Sequence, residues 1–303
     1  MAVIRGRFIS LASSQQRRSR LEQHLQELGV QKRYSWFPAI HGDAETAVAR
    51  GLRPGEWGLW QSWLQLLKNE LTNTPSPYDW LHIVEDDAEL SSHFLAFCEH
   101  LREGQPTFDL LFTDMYVNPS IHRSLAHSHR ELIVRGTIQV KTDLYTGCTA
   151  SVMLHRKRIP AVLRCLKNCV KAGDSLIPLD NQLRRLFHQR QLSFVRTAPF
   201  ITGVLDASIA ASTIQQSDKS HRSVVLTQQI CTNLRRQLSV LNSSNATHGL
   251  IKLMQELNRD RRYAQPSALE TDISLKLMQL AESQDLLRYG LQPRLMGEPD
   301  NPQ

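Results

Sequence analysis

Apolar and polar positions change their rhythm several times along the first two hundred residues, and each change marks an element. Residues 3–11 (VIRGRFISL) are apolar and β-branched up to the polar break Ala12-Ser13-Ser14, which predicts a strand. Leu21, Leu25 and Leu28 then recur at helical spacing, with Gly29 placed to cap the helix. Residues 34–39 (YSWFPA) read as a second extended segment, closed by His41-Gly42-Asp43. Strand, helix, strand opens an α/β layered fold.

Arg53-Pro54-Gly55-Glu56 reads as a turn or helix N-cap, after which Trp57, Trp60, Trp63, Leu64 and Leu67 share one helical face until Pro75-Ser76-Pro77 ends it. Residues 80–84 (WLHIV) are mostly apolar and stop at Glu85-Asp86-Asp87, the pattern of a buried central strand. A helix over 91–103, a strand at 109–113 (DLLFT), a β-ribbon over 132–140, a strand at 147–154 (GCTASVML) and helices around 158–171 and 179–190 continue the alternation. Beyond about residue 205 the rhythm is helical only, carried by Val225, Ile230, Leu234, Leu238 and Leu241 and by later leucines up to Leu287. The predicted organisation is an α/β body over 1–205 and an all-helical C-terminal extension over 206–303.

The composition of the 303 residues, 41% hydrophobic and 21% charged, excludes a wholly disordered, collagen-like or disulfide-scaffold chain. A net charge of +7 suits an anionic partner without choosing among nucleic acid, sugar nucleotide, anionic glycan and membrane surface. Cys98, Cys148, Cys165, Cys169 and Cys231 show neither a CxxC pair nor zinc-site spacing, and read as reduced thiols. The first residues lack the apolar stretch of a secretory signal, and no segment approaches the about 20 apolar residues of a bilayer span. The expectation is a cytoplasmic protein, with peripheral contact to the inner face of a membrane left open. The basic patches Arg235-Arg236, Arg259 and Arg261-Arg262 read either as a solvated face or as a contact for an anionic surface.

Glu85-Asp86-Asp87 carries the best chemical clue, because ligands of open α/β sheets gather at the carboxyl ends of the strands. Three adjacent carboxylates repel one another unless they share a cation. Hard oxygen ligands suit Mg²⁺ or Mn²⁺, which in turn clamp a diphosphate. The alternative is a solvated or helix-capping triplet.

Six segments, in order, resemble glycosyltransferase family 25, the lipopolysaccharide and collagen β-galactosyltransferase group. Ile9-Ser10-Leu11 with Arg17 matches its opening strand and arginine; Phe37-Pro38-Ala39-Ile40-His41-Gly42 matches its FPAVDG. Residues 55–63 (GEWGLWQSW) match GEIGCALSH, and Ile83-Val84-Glu85-Asp86-Asp87 matches ILEDD. Residues 147–153 (GCTASVM) match GTHAYLIS, and Pro178-Leu179-Asp180 matches PID. The likeness spans residues 3–190 and implies a GT-A fold, Rossmann-like with a mixed, mostly parallel central sheet. It also implies an inverting, metal-dependent transfer of a hexose, galactose or glucose, from a UDP-sugar to a glycan such as lipopolysaccharide.

The same likeness implies roles for particular residues. Asp87, with Glu85, is the expected ligand of Mn²⁺ or Mg²⁺, and Asp86 completes the donor-binding motif. Arg17 is expected to meet a donor phosphate, the alternative being an exposed helix arginine. Asp180 is the first candidate for the carboxylate base, or else a helix N-cap; Asp114, after the 109–113 strand, is the second by its position in the sheet alone, or else a surface turn. Glu56 would orient sugar hydroxyls, or face the helix dipole. Apart from the likeness, His41 reads as a ligand, a base or a surface histidine, and the tryptophan set as a sugar-stacking face or as core. Trp63, His41 and Ser151 depart from the family's residues, which bears on sugar identity. A non-catalytic glycan-binding relative is the alternative; nucleic-acid binding is not expected, since the tryptophans cluster ahead of the acidic triplet instead of interleaving with basic residues.

Overall fold

The rhythm of residues 3–39 becomes a strand, helix, strand unit: β1 (Ile4–Ser10), α1 (Gln15–Glu27) and β2 (Tyr34–Pro38). Strands β1 and β2 pair in parallel from Gly6↔Tyr34 to Ser10↔Pro38. Gly29 takes φ +70° just beyond α1, the left-handed step that ends a helix without strain. This computed structural model describes residues 2–72, 77–90, 108–114, 148–171, 175–196 and 202–204, together with Phe94, Cys98 and Leu101.

The chain continues through α2 (Ala44–Ala49), α3 (Pro54–Thr72), β3 (Trp80–Glu85), β4 (Ala88–Leu90), β5 (Leu110–Phe112), β6 (Ser151–His155), α4 (Ile159–Lys171), α5 (Leu179–His188), β7 (Phe194–Arg196) and β8 (Thr202–Val204). Six strands form one mixed sheet in the order β2-β1-β3-β6-β5-β7, with three parallel pairs and β6 antiparallel to both its neighbours. Strands β4 and β8 make a separate antiparallel ribbon. The architecture is α/β.

Strand β3 lies inside this sheet, and its side chains alternate between two cores. Leu81 and Ile83 join the side packed by α3, α4 and α5, while Trp80 and Val84 join the side that holds Leu21 and Leu25 of α1. Neighbouring strands divide the same way: Val152 and Leu154 against Met153 in β6, Leu110 and Phe112 against Leu111 in β5. Burial on both faces explains why β3 reads as a nearly continuous apolar run. Its polar residue ahead of the terminal Glu85, His82, is fully buried and donates or accepts through both ring nitrogens, to Tyr34 Oη at 2.6 Å and Ser151 Oγ at 2.7 Å. Ser151 Oγ continues at 2.6 Å to Thr113 Oγ1, so a polar thread crosses the sheet.

Helix α3 carries the tryptophans into the core: Trp57, Trp60 and Trp63 are all buried, and Trp60 Nε1 donates to Ile177 O at 2.9 Å. The sugar-stacking alternative for this set therefore does not hold. Pro54 occupies the first helical position and Glu56 Oε2 accepts from Arg53 N at 2.8 Å, as in a capping box. Asp43 caps α2 by accepting from Thr46 N at 2.7 Å.

The helix expected over 91–103 falls largely outside the described residues, although Phe94, Cys98 and Leu101 from it are buried. The β-ribbon over 132–140 and the helical extension over 206–303 lie outside them altogether. Among the described residues no helix is long and apolar enough to cross a membrane, and Cys98, Cys148, Cys165 and Cys169 are free thiols.

Candidate functional site

The carboxyl ends of β1, β2 and β3 open together onto a cavity of about 170 Å³. Ser10 ends β1 and Leu11 follows it, residues 39–42 follow β2, Glu85 ends β3 with Asp86 and Asp87 after it, and Gly55, Gly58 and Leu59 of α3 close the wall. This is the edge at which a doubly wound sheet collects ligands.

Two glycines shape that wall. A Cβ on Gly42 would lie 1.8 Å from Pro54 O, and one on Gly58 would lie 2.6 Å from Ile40 O. The loop after β2 thus rests backbone to backbone on the start of α3. Ser62 fastens it further, its Oγ accepting from Ile40 N at 2.9 Å and donating to Gly58 O at 2.7 Å. The FPA-x-x-G and G-E-x-G segments are two halves of one close contact.

Parallel register sets Ile9 beside Glu85, so the residue after each comes within reach of the other strand's end. Ser10 Oγ donates to Asp86 Oδ2 at 2.7 Å. Arg17, in the first turn of α1, bridges the pair: its Nη2 bonds Asp86 Oδ1 and lies 2.9 Å from Asp87 Oδ2. Arg17 is thus not an exposed helix arginine, and the triplet is not a solvated loop. Asp86 is 7% exposed as a residue, and the Asp87 side chain 16%.

Electrostatics in this corner run against ionisation. Burial pushes the Glu85 carboxyl up, and the neighbouring Asp87 charge adds to it, against a hydrogen bond from Thr149. Asp87 is raised by burial and by the charges of Asp86 and Asp114, against the pull of Arg17. Asp86 is raised by burial, with Arg17 and the Ser10 hydroxyl holding it down. Among the described residues the triplet holds more carboxylates than Arg17, its one arginine partner, balances.

A second arc of acids faces Cys148. Burial pushes its thiol well up, and the charges of Asp114, Glu85 and Asp180 all reach it. The surface-turn alternative for Asp114 is overturned: it is 1% exposed, held behind β5. Pro178 is the cap position of α5, and exposed Asp180 stands in the first turn, where it fills the role its capping alternative expected: its Oδ1 accepts from Asn181 N, an orphan donor of that turn, at 2.8 Å. Glu56 is engaged in capping α3 and does not line the cavity. His41 is exposed at the cavity rim.

The chain's own residues test the expected cation. Among the described residues no three His, Cys, Asp or Glu side chains are arranged to hold a metal. Mg²⁺ and Mn²⁺ do not require such a cage, because one or two carboxylates plus substrate phosphates suffice. Asp87 Oδ1 meets that lesser demand: it is buried, with no hydrogen-bond partner among the described residues.

Ser10, Ser62, Cys148 and Thr149 lie in segments matched to the family, but the sequence assigns no site role to any of them; their contacts follow from strand register and the position of α3, and neither is written locally. No family model matches the chain, and no curated protein matches it in sequence.

Proposed function

We propose that the chain is a nucleotide-sugar-dependent glycosyltransferase of the family 25 kind, with a GT-A-type body. It would transfer a hexose, galactose or glucose, from a UDP-sugar to a glycan acceptor such as a lipopolysaccharide precursor. The observation that carries the reading is the pairing of Arg17 with Asp86 and Asp87 at the carboxyl edge of the sheet, beside a cavity.

Asp87, with Glu85, would hold Mn²⁺ or Mg²⁺; when bound, such a cation neutralises charge developing on the departing diphosphate. Ser10 fixes the orientation of Asp86, which keeps the acidic turn in place while ligands enter. Arg17 supplies a planar donor suited to phosphate oxygens. Inversion requires a carboxylate that takes the acceptor proton on the face opposite the leaving group. Asp180, exposed at the start of α5, is open to an incoming acceptor. Asp114 is buried beside Asp87 and acts on the electrostatics of the corner.

The test is release of UDP from UDP-galactose and UDP-glucose with Mn²⁺, with and without glycan acceptors. Turnover that disappears in Asp87→Asn and in Asp180→Asn supports the reading. No donor hydrolysis or transfer with any nucleotide sugar, and no effect of Asp87→Asn on donor binding, would sink it.

A further inference from the structure

Arg17 serves two carboxylates through a single nitrogen. Its Nη2 reaches both Asp86 and Asp87, while its Nε is buried with no hydrogen-bond partner among the described residues. The two acids are not equivalent. Asp86 has both oxygens engaged, Oδ2 by Ser10 and Oδ1 by Arg17. Asp87 gives Oδ2 to Arg17 and keeps Oδ1 buried and unpartnered among the described residues. Both ends of the ion pair therefore have unused capacity: a donor on the arginine and an acceptor on the aspartate.

A guanidinium and a divalent cation compete for the same carboxylate, since each is attracted by its charge and repelled by the other. The Arg17 side chain is 30% exposed and lines the cavity together with Ser14, the residue before α1. It has room to turn toward an anion there. Ser14, the N-cap position of α1, also lines the cavity and makes no side-chain cap hydrogen bond among the described residues.

We infer that Arg17 is a resident counter-ion that competes with the divalent cation for Asp87 and is handed to the donor diphosphate when cation and nucleotide enter together. This rests on the nucleotide-sugar reading above. Its consequence is that the cation alone binds weakly and that nucleotide and cation tighten each other, reciprocally, as linkage demands.

The experiment titrates the full chain with Mn²⁺, free Mn²⁺ being read by electron paramagnetic resonance, without and with UDP. In the unmodified chain, UDP should tighten Mn²⁺ by about tenfold or more, inside the range usual for coupled sites. Arg17→Gln should bind Mn²⁺ alone about tenfold more tightly, lose most of the gain from UDP and retain its thermal transition. Mn²⁺ affinity unchanged or weakened in Arg17→Gln, with UDP synergy intact, overturns the inference and leaves the transferase reading standing. An unmodified chain that takes up neither Mn²⁺ nor UDP, singly or together, overturns both. Should Arg17→Gln not fold, the unmodified chain decides: Mn²⁺ and UDP binding independently, once their complex in solution is subtracted, overturns the inference.

Discussion

Strand β1 takes part in two charge clusters built on opposite balances. In its first half Arg5 and Arg7 converge on Glu70 of α3, a side chain 2% exposed, at 3.6 and 2.6 Å. Arg5 also lies over the Tyr78 ring, 4.6 Å from its centroid, with Arg156 at 5.3 Å. There one buried acid is outnumbered by cations. At the far end of the strand, Ser10 and Arg17 face Glu85, Asp86 and Asp87, and among the described residues the one arginine that pairs with the triplet is outnumbered by its acids. A closed cluster holds elements together; an acidic surplus at a cavity is relieved either by protons, as the raised Glu85 and Asp87 carboxyls show, or by a further cation. The second cluster is therefore the one that points to a ligand.

Four measurements would break or sharpen that contrast. The largest effect is expected for Asp87→Asn, which should lower donor turnover by about 100-fold or more, the scale of losing one electrostatic contact to a developing charge. Its melting temperature should hold or rise, because a repelled charge is removed. A melting temperature that falls steeply would instead make the acidic cluster structural. Glu70→Gln should do the reverse, costing about 1–3 kcal/mol in denaturant unfolding, a figure reduced because both arginines are partly exposed. Its UDP affinity should equal that of the unmodified chain; a tenfold loss would join the two clusters into one.

Third comes a neutral buried group as reference. Burial pulls the His82 pKa down from 6.5 to about 3. On acidification the unfolded chain takes up this proton first, so stability present above the unfolded pKa is lost as pH falls toward the folded one. The slope is about 1.4 kcal/mol per pH unit for one proton. His82→Gln should flatten that slope between these two pH values in urea-unfolding series, and an unchanged slope would reject His82 as its source. Smallest is Ser10→Ala, which should cost about 1 kcal/mol of stability through one lost hydrogen bond and slacken Mn²⁺ or UDP binding a few-fold. No change in ligand binding would remove Ser10 from the positioning of Asp86.

The elements of the first cluster and the strand of the second were legible in the sequence, because α1 and α3 are long and periodic while β1 and β3 are apolar runs that stop at polar breaks. The strand ending at an acidic triplet, the capping of α1 near Gly29 and the one-sided tryptophans followed from local pattern alone. Helix α2 did not: its six residues bury only Ala47, too little for a periodic signal. Strands β4 and β8 have three residues each and gain meaning only from pairing with each other across more than a hundred positions. The burial of Asp114 is likewise nonlocal. It stands next to Thr113, which is tied to Ser151 of β6 and Thr202 of β8. The Arg17 bridge depends on parallel register between β1 and β3, a relation that spans some seventy residues. Glu56 matched a motif and sat at the right end of its helix, yet its carboxylate closes a capping box on Arg53, which has no Ser or Thr side chain to announce one.

The contact between Gly42 and Gly58 bears on how such a cavity could be retuned. Where two bare backbones touch, no rotamer can shift and no smaller side chain can be substituted, so the span between the loop after β2 and the start of α3 acts as a fixed gauge. Size selection on this wall is then left to the side chains that line it beside the glycines, with exposed His41 and half-buried Leu59 the bulkiest together with Ile40. A variant with altered ligand preference would be sought at those positions, since the spacing of the wall itself offers nothing to adjust.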